Sequence, residues 1–155
     1  MRNFDGMYME IAETISKQSR AQRAQVGALL VRDNNILSFG FNGTPSGFDN
    51  VCETKKYDTG AGGWISPEEF KDMYPYQDEK GSYGLKTKPE VLHAESNCLM
   101  KIARSTQSSE GATMYVTLSP CLECAKLIVQ SGVKRVVFGA QYRDDSSITF
   151  LKQAN

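Results

Sequence analysis

The stretch ATMYVTLSPCLECAKLIVQSGVKRVVFGAQ, residues 112–141, carries three local signals in a fixed order. ATMYVTLS (112–119) is short, apolar and β-prone, and predicts a strand. CLECAKLIVQSG (121–132) has helical spacing and runs out at Gly132, the residue type that most readily closes a helix. RVVFGAQ (135–141) predicts a second, buried strand. Strand, helix, strand is a crossover unit, and such a unit joins parallel neighbours in one sheet. The fold class that follows is α/β.

Working outward, QVGALLV (25–31) and ILSFGFN (36–42) are two more β-prone runs, separated only by a polar turn, and read as a hairpin. Residues 4–19 set Phe4, Met7, Tyr8, Ile11, Ala12 and Ile15 at helical spacing, with Asp5 as the expected N-cap. PEVLHAESNCLMKIARS (89–105) reads as a helix opened by Pro89 and supported by Val91, Leu92, Cys98, Leu99, Ile102 and Ala103. SITFLKQ (147–153) reads as a weaker, final strand. The expected architecture is one mixed five-stranded sheet with helices on both faces, a three-layer α/β/α domain spanning 1–155. Between residues 43 and 88 the patterning dissolves into Gly, Pro, Asp and Tyr, with one short helix at Pro67–Met73. A long irregular insertion of this kind suits a lid or an oligomer contact.

Composition narrows the function classes. The 155 residues fit one core, and 40% apolar with 23% charged residues is an ordinary globular balance. Eighteen basic residues cancel 18 acidic ones, which speaks against a nucleic-acid partner but leaves room for a small anion held by one or two arginines. No apolar run is long enough to cross a membrane, and the acidic start MRNFDGMYMEIAE lacks a signal-peptide core. A cytoplasmic setting is expected. There, four cysteines suit metal or redox chemistry better than disulfides.

Two motifs carry the chemistry. The only histidine, His93, is followed two residues later by Glu95; Cys121 and Cys124 follow Pro120 and share one helix face. The positive end of a helix dipole favours thiolate there. One nitrogen and two sulfur donors with an open fourth position make a catalytic zinc site, whereas a structural site needs a fourth ligand. Zinc lowers the pKa of water towards about 7, and Glu95, beside the ligands, is placed to move protons. A thioredoxin-like reading leaves both the His-x-Glu pair and Pro120 unexplained. A zinc-stabilised binding module without catalysis stays open: Cys98, turned about 140° from His93 on an ideal helix, reads as core, but Cys52 remains a candidate fourth ligand.

The pairing of H-x-E with P-C-x-x-C is the signature of zinc deaminases. With QVGALLV, GFNGTPSG, HAESN and TLSPCLECAKLIVQSGVKRVVFGAQYRD, the chain resembles the deoxycytidylate (dCMP) deaminase family of the cytidine deaminase superfamily over nearly its whole length. Ser119 stands where tRNA adenosine deaminases generally carry glutamate. The resemblance implies hydrolysis of dCMP to dUMP with release of ammonia, which feeds thymidylate synthesis. It also implies one catalytic zinc held by His93, Cys121 and Cys124, with Glu95 as proton shuttle. Asn42 matches a contact to the nucleotide sugar and Tyr142 an aromatic at the substrate. The phosphate calls for arginine; Arg23 and Arg143 are favoured over Arg20. Many such enzymes are homo-oligomers, often hexamers, activated by dCTP and inhibited by dTTP, and Mg2+ is expected only with such an effector. Some relatives hold a second zinc in the insertion through histidine; this chain has no histidine besides His93, and Cys52 reads as a remnant of that site. The zinc motif specifies the reaction more firmly than the base, so a deaminase of another nucleoside or nucleotide is the other enzymatic alternative.

Overall fold

A computed structural model describes residues 3–142 and 144–154. Its main sheet is built from β1 (Gly27–Arg32), β2 (Asn35–Phe41), β6 (Thr113–Leu118) and β7 (Arg135–Ala140) in the order β2-β1-β6-β7. β1 is antiparallel to both β2 and β6, while β6 and β7 are parallel, as the crossover through α4 (Leu122–Gln130) requires. The β1–β2 hairpin turns on Asp33 and Asn34, both at positive φ, the geometry that matches the twist of paired strands.

β1 is buried on both faces, and its alternate side chains seed two separate cores. Ala28 and Leu30, with Met114 and Val116, pack under α3 (Ala94–Ala103) and against Ile128 of α4. Leu29 and Val31, with Tyr115, pack against Tyr8 and Ala12 of α1 (Asp5–Ser16). The expected three-layer α/β/α arrangement is therefore present. Gly27 and Gly40 let helices close on the strands: a Cβ at 27 would overlap the Ala12 carbonyl oxygen, and one at 40 would overlap the Ala94 carbonyl oxygen.

Several expectations need correction. The sheet has four strands, because the segment read as a fifth strand folds as α5 (Ser146–Gln153). Asp144 accepts from both the backbone and the hydroxyl of Ser146, which turns the chain into a helix, and Ile148 and Leu151 then lie one turn apart against the main core side. Asp5 is not the N-cap of α1; Phe4 occupies that position. The Asp5 carboxylate instead receives Arg135 Nη1 and Nη2 at 2.8 and 2.6 Å and Tyr115 Oη at 2.7 Å. It thereby ties α1 to β6 and β7, and these partners hold its carboxyl well below the usual range. The helix expected from Pro89 begins only at Ala94, since Leu92 is held extended by a pair of backbone hydrogen bonds with Gly43.

The 43–88 insertion is not irregular throughout. It carries β3 (Glu53–Tyr57), the expected α2 (Pro67–Met73), β4 (Tyr76–Asp78) and β5 (Gly81–Thr87), and the strands form a second, antiparallel sheet in the order β3-β5-β4. α2 opens with a complete capping box between Ser66 and Glu69. Its sheet is held by Asp78, which accepts from Lys55 at 2.6 Å and Tyr57 at 2.8 Å.

Candidate metal centre and nucleotide site

β2, β6 and β7 all point the same way, so the segments leaving them meet at one edge of the main sheet. This carboxyl edge is where open α/β sheets generally form their clefts. His93 is the N-cap of α3 and Cys121 the N-cap of α4. Pro120 has no N–H to satisfy and keeps Ser119 out of helical geometry, and α4 starts directly after the extended N-cap Cys121. Cys124 follows one turn later, with its backbone N–H directed to the Cys121 sulfur at 3.5 Å.

His93 Nδ1 lies 3.5 Å from Cys121 Sγ and 3.4 Å from Cys124 Sγ. Tetrahedral zinc with ordinary Zn–N and Zn–S bonds separates such donors by about 3.5 Å. All three donor atoms lie within 4.8 Å of one another, and among the described residues this is the only such group of three or more His, Cys, Asp or Glu ligands. The donor set fits zinc in chemistry and in spacing. Cys52, open as a fourth ligand from sequence, is buried within the insertion, where its carbonyl accepts from the Lys88 N–H, and does not join the cluster. Cys98 is wholly buried in the main core, and desolvation pushes its thiol up to about 11.

At Cys124 the helix dipole is outweighed. Burial, then the neighbouring Glu95 and Cys121, push its thiol far above the ordinary value. A bound divalent cation offsets that cost. Glu95 is 4% exposed, and desolvation raises its carboxyl, the direction required of a group that must hold a proton near neutral pH.

The residues expected at the substrate distribute unevenly. Asn42 follows β2, and its side chain is engaged at both ends: Oδ1 accepts from Val26 N and Nδ2 donates to Ala24 O, each at 2.8 Å. It fixes the 24–26 segment, and Gly43 beside it pairs with Leu92, next to His93. Tyr142 is half exposed beyond β7. Arg23 lies in the segment before β1, with Nη1 3.3 Å from Thr87 Oγ1 of β5. Arg143 falls outside the described residues.

Two contributors were not assigned these roles from sequence. Ser119, noticed only as a family marker, donates its N–H to Ala140 O and accepts the Tyr142 N–H at 2.7 Å, so it ties the backbone of the segment after β7 to the start of the cysteine loop. Asn97, present in the HAESN motif, donates to Phe41 O at 2.9 Å and anchors α3 to β2. Their signal was proximity to the motifs; their partners lie 23 and 56 residues away.

Three donors around one point, a buried carboxyl beside them and the carboxyl edge of an α/β/α sheet make a site of the zinc-hydrolase class. The family model of the cytidine and deoxycytidylate deaminase zinc-binding region matches residues 2–140, and the chain belongs to that family. It is 34% identical over 150 residues to the deoxycytidylate deaminase of Enterobacteria phage T4, covering 86% of this chain and 76% of that protein. It is 33% identical over 145 residues to the human deoxycytidylate deaminase, covering 92% and 68%. The crystal structure of dCMP deaminase from the cyanophage S-TIM5, in complex with dCMP and dUMP, superposes with a TM-score of 0.77 at 38% identity, covering 99% of this chain and 94% of that one.

Proposed function

We propose that this chain hydrolyses dCMP to dUMP and ammonia. The observation that carries the reading is the likeness, over 99% of the chain, to the cyanophage enzyme whose crystal holds dCMP and dUMP. His93, Cys121 and Cys124 would hold zinc, which supplies a Lewis acid that makes water nucleophilic near neutral pH. Glu95 takes one proton from water and passes it to N3 of the pyrimidine as the water oxygen adds at C4; it then moves the proton of the new C4 hydroxyl to the amine. The C4–N bond breaks, ammonia leaves, and C4 keeps the oxygen as a carbonyl. Burial of Glu95 keeps its proton available for both transfers.

Tyr142 is assigned to the base, Asn42 to the sugar, where it fixes the 24–26 segment, and Arg23 to the phosphate; Arg143 is carried as a second phosphate candidate by the family resemblance. Regulation by dCTP and dTTP, Mg2+ accompanying such an effector, and assembly into a homohexamer belong to the same proposal and rest on the family resemblance. Four free thiols suit a reducing, cytoplasmic setting, and no helix among the described residues is long and apolar enough to cross a membrane.

The test is ammonia release by the zinc-loaded protein from dCMP, deoxycytidine, CMP and adenosine-containing RNA, each with and without dCTP. Turnover of dCMP is expected, rising with dCTP. Turnover without a dCTP effect would keep the activity and remove the regulation. Preference for another substrate would reassign the base or nucleotide, and silence on all four with zinc bound would make the chain a zinc-stabilised binding module.

A further inference from the structure

Glu53 is a buried carboxylate that the chemistry above does not use. It opens β3, is 6% exposed, and its Oε1 accepts the backbone N–H groups of Gln22 at 2.9 Å and Arg23 at 3.2 Å. Its second oxygen, Oε2, is buried and receives no hydrogen bond from the described residues. A carboxylate that accepts two successive backbone N–H groups fixes the conformation of the segment that carries them.

Glu53 pairs across the insertion sheet with Thr87, and the Thr87 hydroxyl receives the Arg23 guanidinium. One cross-strand pair therefore grips Arg23 at both ends, by the backbone and by the side chain. The segment that carries Arg23 is separately tied to the metal edge. Asn42 holds Ala24 and Val26, and Ser19 Oγ donates to Asn42 O at 2.7 Å. The insertion sheet and the metal edge thus hold the same short segment from opposite sides.

We infer that Glu53 is a positioning residue for the substrate phosphate: it aims Arg23, and through Arg23 the insertion sheet contributes to nucleotide selection. This rests on Arg23 facing the phosphate, as proposed above. The ligand class addressed is a nucleoside monophosphate, and the part addressed is its phosphate alone.

The experiment measures KM and kcat for dCMP, and the Ki of deoxycytidine as a competitor, for zinc-loaded Arg23→Ala, Glu53→Ala and the double variant. Glu53→Ala is expected to raise KM for dCMP about tenfold, the scale of one hydrogen bond to a charged group, with kcat and the deoxycytidine Ki within about twofold. Arg23→Ala should do the same, and the double variant should be no worse than Arg23→Ala. Glu53→Gln, which keeps an acceptor for the two N–H groups, should recover most of the loss. A shifted KM in Arg23→Ala with none in Glu53→Ala overturns the inference and leaves Arg23 in place. No shift in Arg23→Ala removes the phosphate reading and the inference with it. Equal losses for dCMP and deoxycytidine would make Glu53 a structural residue only. Should Glu53→Ala not fold, Thr87→Val, at a half-buried position, must raise KM for dCMP severalfold with the deoxycytidine Ki unchanged; a wild-type KM there overturns the inference.

Discussion

The main sheet and the insertion sheet are held together by different forces. β1 and β6 lie between helical layers and bury Leu29, Leu30, Met114 and Val116 almost completely. No residue of 43–88 belongs to either apolar core cluster among the described residues, and α2 buries none of its side chains. The insertion relies on the Lys55–Asp78 ion pair, the Tyr57–Asp78 hydrogen bond and tyrosines stacked across β3, β4 and β5. The difference teaches a division of labour. Apolar burial builds the platform for the His93, Cys121 and Cys124 cluster, and a polar, directional sheet joined to it holds Arg23 through Glu53 and Thr87.

The largest test of that division is catalytic. Glu95→Gln, on the platform, is expected to lower kcat by about 10²- to 10⁴-fold while zinc content, measured by metal analysis, stays near one per chain. If substitutions in the insertion lowered kcat as much, the division would fail. Next comes stability. Leu30→Ala, in a fully buried position, should cost about 2–5 kcal/mol by chemical denaturation. Leu85→Ala, half-buried on β5, should cost only about 1 kcal/mol.

The smallest expected effect is in acid. Asp78 is lowered from the ordinary 3.8 to about 2, first by its hydrogen bond from Lys55. A depressed carboxylate contributes stability that is complete above its unfolded value and is lost as the pH falls through its folded one. The Asp78 contribution therefore declines below pH 3.8 and is gone below about 2. Asp5, bound by Arg135 and Tyr115, is lowered further, so its decline extends to lower pH. Amide exchange followed from pH 6 downward, at pH values chosen by the experimenter, should show residues 76–87 losing protection before residues 27–32. Asp78→Asn should flatten the first change and leave the second. Simultaneous loss in both sheets would mean that they unfold as one unit.

The same contrast explains what could be read from the chain. β1, β6 and β7 announce themselves because strands covered by helices must be apolar, and Gly132, at positive φ after α4, marks the helix end as expected. ETKKY gives no such signal, since β3 exposes most of its residues and its pairing with β5 lies in backbone hydrogen bonds. SITFLKQ misled because β-branched and aromatic residues suit a strand, while the Asp144–Ser146 contacts that start α5 are local polar geometry. The clustering of His93, Cys121 and Cys124 was legible because zinc restricts both donor type and spacing. Ser119 and Glu53 were not, since their roles depend on partners brought near only by the completed sheets.

Gly40 finally bears on how freely this sequence can drift. The helix beginning just after His93 rests directly on the backbone of β2 there, with no side chain between them to trim or rotate. Even alanine would have to lift that helix and carry the imidazole away from the two sulfurs. A randomised library selected for turnover should therefore return glycine at position 40 while accepting variety at the partly buried Leu37 nearby. The tolerance of the metal centre to mutation is set by a residue that contributes no atom to it.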